Sequence, residues 1–323
     1  MDFLNMTFPI SGVTTNVLIP PLVAMLISFF TSMGGISGAF IILPFQMSVM
    51  NYTAPSVSGT NHVFNVVAIP SGVYRYIKEG RMAWPLTWVV IAGTLPGVFI
   101  GYYLRVLYLP DPRVFKFFVG CVLLYIGIRL FKDMFFPNKA QAAAAKSLED
   151  KFKARTAEIK KEQASRLAAG IPADAVVKTI SVSLKQVEYE FWGERFRFNT
   201  IAMFALSFIV GIIGGAYGIG GGAIIAPFCV AFFHLPIYTI AGATLTGTFI
   251  TSAAGALFFS VLPATNGVSP MPDWPLGILF GVGGFLGMYL GAKTQKFVPQ
   301  KVIKTIVGIA IMSLAIKYIA QFL

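Results

Sequence analysis

Two stretches decide the fold: GGISGAFIILPF at residues 34–45 and YGIGGGAIIAPF at residues 217–228. Laid on each other, Gly35, Ile36, Gly38, Ile41, Ile42, Pro44 and Phe45 match Gly218, Ile219, Gly221, Ile224, Ile225, Pro227 and Phe228. The correspondence continues after the motif. Gly59 falls on Gly242 at the same offset, and Trp84-Pro85 matches Trp274-Pro275. Gly93, Gly97 and Gly101 match Gly283, Gly287 and Gly291. Lys116 and Gly120 match Lys304 and Gly308. A collinear series of this kind marks an internal duplication.

Each motif lies in the middle of an apolar run. Such runs cover residues 17–50, 56–74, 84–107, 113–135, 199–233, 239–262, 274–292 and 301–322. Hydrophobic residues make up 56% of the 323 and charged residues 12%, about half the share usual in soluble domains. Most runs have the ~20 residues that a bilayer asks of a helix. The two that carry the motifs would be about 50 Å long as straight helices, against a hydrocarbon core of about 30 Å. Each has glycines clustered at its centre, where the backbone is free to leave the helix. The reading is two shorter helical pieces per run, joined by a break inside the membrane. The whole is then an all-α integral membrane protein of two repeats, each a broken re-entrant helix followed by three transmembrane helices. Residues 1–137 form the first repeat and 199–323 the second.

Residues 138–198 interrupt the apolar pattern. A charged stretch at 140–169 reads as a solvated helix ended by Gly170-Ile171-Pro172. Alternation from Val176 to Phe198 predicts a short β-hairpin. The insert is expected to be a small cytoplasmic α/β subdomain with a structural or regulatory role.

The formal net charge is +12, and the positive residues sit in short loops and in the insert. Retention of Lys and Arg on the cytoplasmic side accounts for this; no basic patch interleaved with aromatics points to nucleic acid. The loop holding Arg75, Lys78 and Arg81 has a counterpart at 262–273 without Lys or Arg. The mixed loop with Arg105, Asp111, Arg113 and Lys116 corresponds to one with Lys293, Lys296, Lys301 and Lys304 and no acid. The bias reverses between the halves, so the repeats are expected to lie upside down relative to each other, with the insert cytoplasmic and both termini outside. The N-terminus MDFLNMTF has no basic region of the signal-peptide kind. Cys121 and Cys229 read as buried free thiols, with no disulfide or metal set.

A break exposes backbone N–H groups at the start of its second helical piece. In lipid these must face protein, water or a ligand. A helix start also carries partial positive charge and free donors, which suits an anion, and transporters with inverted repeats place such starts on the substrate. The candidate residues are Gly34, Gly35, Ser37 and Gly38 on one side and Gly218, Gly220, Gly221 and Gly222 on the other. The alternative is that these glycines serve close helix packing, which is the preferred reading for the Gly93 and Gly283 stripes. Asn61 aligns with Thr244 and Asn65 with Thr248, and at helical spacing the two positions share a face. Their amides and hydroxyls could donate to an oxyanion or bond neighbouring helices. His62, whose partner in the repeat is Leu245, is an ionisable side chain in an early segment and a candidate by that fact.

No Asp or Glu lies deep in an apolar run, which argues against a proton-coupled metal carrier. Without HExxH, Gly-x-Ser-x-Gly or an intramembrane Asp pair, enzyme chemistry is not expected. No Walker A sequence or cofactor motif is present.

The paired glycine-rich segments ending in Pro-Phe, the Gly59 and Gly242 helices after them and the duplicated layout resemble the TauE/SafE family of sulfite and organosulfonate exporters. The stretch from Gly218 to Pro227 carries the resemblance best. The resemblance implies a transporter in the bacterial inner membrane exporting sulfite, sulfoacetate or a related sulfonate. The residues by themselves imply only an anion, and they leave an anion channel or a membrane sensor using the insert as alternatives. The partners so read are a small anionic substrate and the lipid bilayer, with no nucleic acid; assembly into a homo-oligomer is left open.

Overall fold

The structure, a computed structural model, describes residues 4–33, 37–78, 80–135, 176–191, 193–233, 235–263, 269–294 and 300–322. Gly34 and Gly35, and the helix expected at 140–169, lie outside the described residues.

Both long apolar runs are broken where the glycines cluster. The first gives α1 (Ile19–Met33) and α2 (Ala39–Ser48). It is followed by α3 (Ser56–Ala68), α4 (Pro70–Lys78), α5 (Trp84–Tyr103) and α6 (Pro112–Phe135). The second run gives α7 (Thr200–Tyr217) and α8 (Gly222–Phe232), followed by α9 (Ile237–Val261), α10 (Trp274–Thr294) and α11 (Gln300–Ala320). Among the described residues, four helices are long and apolar enough to cross a membrane: Trp84–Tyr108, Thr200–Tyr217, Thr239–Val261 and Trp274–Gly291.

Local chemistry sets the helix ends. Asn199 Oδ1 accepts from Ala202 N at 2.8 Å and opens α7, as an N-cap should. Asp273 does the same for α10 through Leu276 N at 3.3 Å. Its other oxygen accepts from the backbone N and hydroxyl of Ser11, tying the N-terminal segment to α10. Gly218 closes α7 in the left-handed region, φ +88°, where its N–H and that of Ile219 both reach Gly214 O. This is a conformation that glycine takes without steric cost.

The helices of the two halves interleave. Gly93, Gly97 and Gly101 of α5 lie in order against Phe204, Phe208 and Ile212 of α7. Gly283, Gly287 and Gly291 of α10 lie in order against Pro21, Met25 and Phe29 of α1. In both pairs the neighbour is backbone, so the glycine stripes serve packing. α3 runs beside α10, and α5 beside α9. Corresponding helices run past each other in opposite directions. Along α3, Gly59, His62 and Asn65 meet Phe259, Gly255 and Ser252 of α9. Along α6, Gly120 and Gly127 meet Tyr318 and Met312 of α11, and Phe117 stacks on Phe322.

Three findings depart from the sequence reading. The expected hairpin after Val176 is a three-stranded antiparallel sheet, β3 (Lys178–Val182), β4 (Gln186–Phe191) and β5 (Glu194–Asn199), because Gly193 at φ +72° turns the chain once more. Its buried Val187, Tyr189, Phe191 and Phe198 join the main core. The Tyr189 hydroxyl lies 2.8 Å from that of Thr239, and Val177 N donates to Gly80 O. A small N-terminal hairpin, β1 (Asn5–Thr7) with β2 (Thr14–Asn16), turns at Gly12, φ +67°. Cys229 is buried as expected, but Cys121 is exposed on α6.

Candidate functional site at the helix breaks

α2 and α8 both begin at a glycine, Gly38 and Gly221, and neither glycine can cap the first turn with a side chain. The free N–H groups of those turns are therefore available to other partners. Ser37 Oγ accepts from Ala39 N at 3.3 Å, and Thr251 Oγ1 accepts from Gly221 N at 3.3 Å.

One side chain connects the two breaks. Asn65, on α3 and fully buried, accepts from Ser37 Oγ at 2.7 Å beside the first break. Its amide nitrogen donates to Ile219 O, inside the second break, at 3.0 Å and to Ser252 Oγ of α9 at 3.1 Å. One turn earlier, Asn61 Nδ2 donates to Ala39 O at 2.9 Å. Tyr217 OH reaches across to Phe40 O at 2.8 Å, and Ser58 Oγ to Ala216 O at 2.9 Å. His62 Nε2 lies 3.4 Å from Gly215 O, and the ring rests on Gly255. The described candidates from both halves thus gather around one contact of α3 with α9.

The two halves do not contribute alike. The second break is filled. A Cβ on Gly220 would lie 2.6 Å from Ser252 Oγ; on Gly221, 2.6 Å from Thr94 Cβ; on Gly222, 2.6 Å from Thr248 Oγ1. Gly218 abuts the backbone of Ser58. The hydroxyls of Thr244 and Thr248 bond carbonyls of their own helix, Ile240 O at 3.0 Å and Thr244 O at 2.8 Å. The first half keeps unused capacity. Ser28 Oγ, Thr31 Oγ1, both amide atoms of Gln46, Asn61 Oδ1 and His62 Nδ1 are buried without a hydrogen-bond partner among the described residues. In the second half, among the described residues, only Ser207 Oγ joins them. Each such group costs about 1–3 kcal/mol and calls for an explanation other than packing; Ser28 Oγ lies at the first break, 2.8 Å from where a Cβ on Gly38 would sit.

The profile of the family described as sulfite exporter TauE/SafE matches residues 21–318. The chain belongs to the TauE/SafE family. It is a membrane transporter. Among TauE/SafE relatives, the probable membrane transporter protein YunE of Bacillus subtilis (strain 168) is 21% identical over 299 residues, 90% of this chain and 92% of that protein. The probable membrane transporter protein YdhB of the same organism is 33% identical over 92 residues, 28% of this chain and 35% of that protein. No solved structure matches.

Sequence reasoning missed the part taken by Ser28, Gln46, Thr94 and Arg105. The first three are single polar residues in apolar helices and give no periodic signal. Arg105 read as a loop residue, yet the structure buries it completely at the end of α5. An arginine in the middle of the apolar run LRVLYL was the available sign.

Proposed function

We propose that this TauE/SafE member is a multi-pass inner-membrane secondary transporter, not an enzyme, which exports a small sulfur-containing oxyanion such as sulfite, sulfoacetate or a related organosulfonate. The observation that carries the reading is the meeting of both helix breaks on Asn65. Two helix starts, each with roughly half a positive charge and donors in fixed directions, can replace the hydration of an anion without clamping it by a salt bridge. Release on the far side then stays easy.

In this reading the two halves are inverted repeats, 1–137 and 199–323, with 138–198 a cytoplasmic insert. The opposite directions of α3 and α9, and of α6 and α11, support inversion. So does the reversal of Lys and Arg between matching loops. Rocking of the repeats about the breaks would expose the anion to either side. Ser37, Gly38, Asn61 and Asn65 form the more accommodating half of the site, because the unpartnered hydroxyl donor of Ser28 lies beside Gly38. Gly218, Gly220, Gly221 and Gly222, with Thr244 and Thr248, form the tighter half.

Counterflow in proteoliposomes tests this. Vesicles loaded with unlabelled sulfite or sulfoacetate should accumulate the labelled anion transiently and saturably. Linear flux without counterflow would establish a channel instead, and no movement of any sulfur oxyanion would end the reading.

A further inference from the structure

Arg105 has no exposed surface. It leaves α5 at a π-helical turn, Leu104–Tyr108, where Leu109 N–H reaches back five residues to Leu104 O at 3.0 Å. Such turns are rare and recur at functional sites. Its Nε donates to Ser58 Oγ at 3.2 Å, Nη2 to Thr53 O at 3.3 Å and Nη1 to Leu109 O. The guanidinium carbon lies 3.6 Å from the centre of the Phe115 ring.

All three acceptors are neutral. Among the described residues, no carboxylate is within salt-bridge reach of Arg105. Asp273, buried at the same end of the molecule, is already committed to Ser11 and Leu276. A guanidinium keeps its charge, and a charge held out of water is costly without a counter-charge. Phe115 and two carbonyls fix its plane but do not neutralise it. Two of its five N–H groups have no acceptor among the described residues. The charge also lies close to the second break: Ser58 Oγ, which takes the Nε bond, donates to Ala216 O at the end of α7.

We propose that Arg105 binds the transported oxyanion, receiving it from the helix breaks at the end of the molecule that carries Thr53, Leu109 and Asp273. The inference rests on the anion reading above and names the fixed charge that reading lacks. The planar fork suits two oxygens of one sulfonate or sulfite group. Thr53 O and Leu109 O hold the fork when no anion is bound.

The test uses the full chain in proteoliposomes, with sulfoacetate as a dianion and methanesulfonate as a monoanion, and the melting temperature of each variant in detergent. R105Q should raise the half-saturation for sulfoacetate roughly tenfold to a hundredfold and erase any preference for the dianion. R105K keeps the charge but loses the fork, so it should retain the preference at weaker affinity. If R105Q does not fold, the R105K result decides. Wild-type affinity and preference in R105Q would overturn the proposal and leave the anion reading intact. So would an R105K protein whose melting temperature falls while its half-saturation stays at the wild-type value, since that marks a structural clamp. A wild-type protein that moves neither anion, nor sulfite, would overturn both.

Discussion

The amide nitrogen of Asn65 donates to the carbonyl oxygen of Ile219 at 3.0 Å, so a residue of the first half holds the break of the second. Since the same side chain accepts from Ser37 beside the first break, the positions of the two helix starts are not independent. A motion that separates them must break bonds at Asn65.

Asn65→Ala removes three buried hydrogen bonds and leaves Ile219 O without its donor and the Ser37 hydroxyl hydrogen without its acceptor. At about 1 kcal/mol each, the folded protein should lose roughly 2–3 kcal/mol of stability in detergent, and counterflow should fall to background in protein that still inserts. Undiminished counterflow would show that the bridge is only structural.

Glycine substitutions should divide into two kinds. Gly97 and Gly287 face the backbones of Phe208 and Met25, which cannot yield, so Gly97→Val and Gly287→Val should abolish folded protein, each costing at least about 3 kcal/mol by overpacking. Gly38 faces the Ser28 hydroxyl, 2.8 Å from where a Cβ would sit. Gly38→Val should leave protein in the membrane yet stop transport. Size-exclusion profiles beside flux assays separate the two outcomes, and normal flux in Gly38→Val would remove the first break from the site.

Topology can be read by labelling single cysteines in intact cells, once the exposed Cys121 has been replaced by serine. Cysteine at Lys78 or Arg195 should resist a membrane-impermeant maleimide, and cysteine at Asp111 or Met271 should react. Labelling at Lys78 from outside is the result that the inverted arrangement does not survive.

The insert should prove separable only in part. Tyr189→Phe deletes the bond to Thr239 and should cost about 1 kcal/mol. A deletion confined to residues 140–175 should leave melting and flux unchanged, whereas one continued through residue 190 strips buried Val187 and Tyr189 from the core and should destabilise the protein by several kcal/mol. Equal behaviour of the two deletions would place the sheet outside the folding unit.

Much of the architecture could be read from the chain because it was written twice. The break at Gly38 and the break at Gly221 were each visible as a run too long for the bilayer, and the start of α2 and of α8 followed from its glycine; the matched Pro-Phe pairs lie inside those helices and mark neither end. The partners of the glycine stripes were not legible. Nothing in Gly97 says that it will touch Phe208 rather than a helix of its own half, since any helix offers a smooth face to a small residue. The asymmetry of the site was hidden for a related reason. Thr248 and Asn65 align, but a threonine on a helix can bond its own preceding turn, whereas an asparagine amide reaches beyond it. Arg105 was misplaced because a charge near a run's end is normally drawn to water; only the π turn brings it inside.

The exchange of partners between halves has a consequence for how the chain is made. α1 emerges from the ribosome early, but the surface it needs, around Gly283 and Gly287, is translated only near the end. Until then its face stays in the bilayer without a mate, and the α5 stripe likewise waits for α7. Assembly therefore depends on pairings between distant parts of the sequence, which form slowly. Quality-control proteases have their widest opportunity in that interval. Substitutions on the late stripe of α10 should accordingly act on yield in the cell more than on the activity of the molecules that survive.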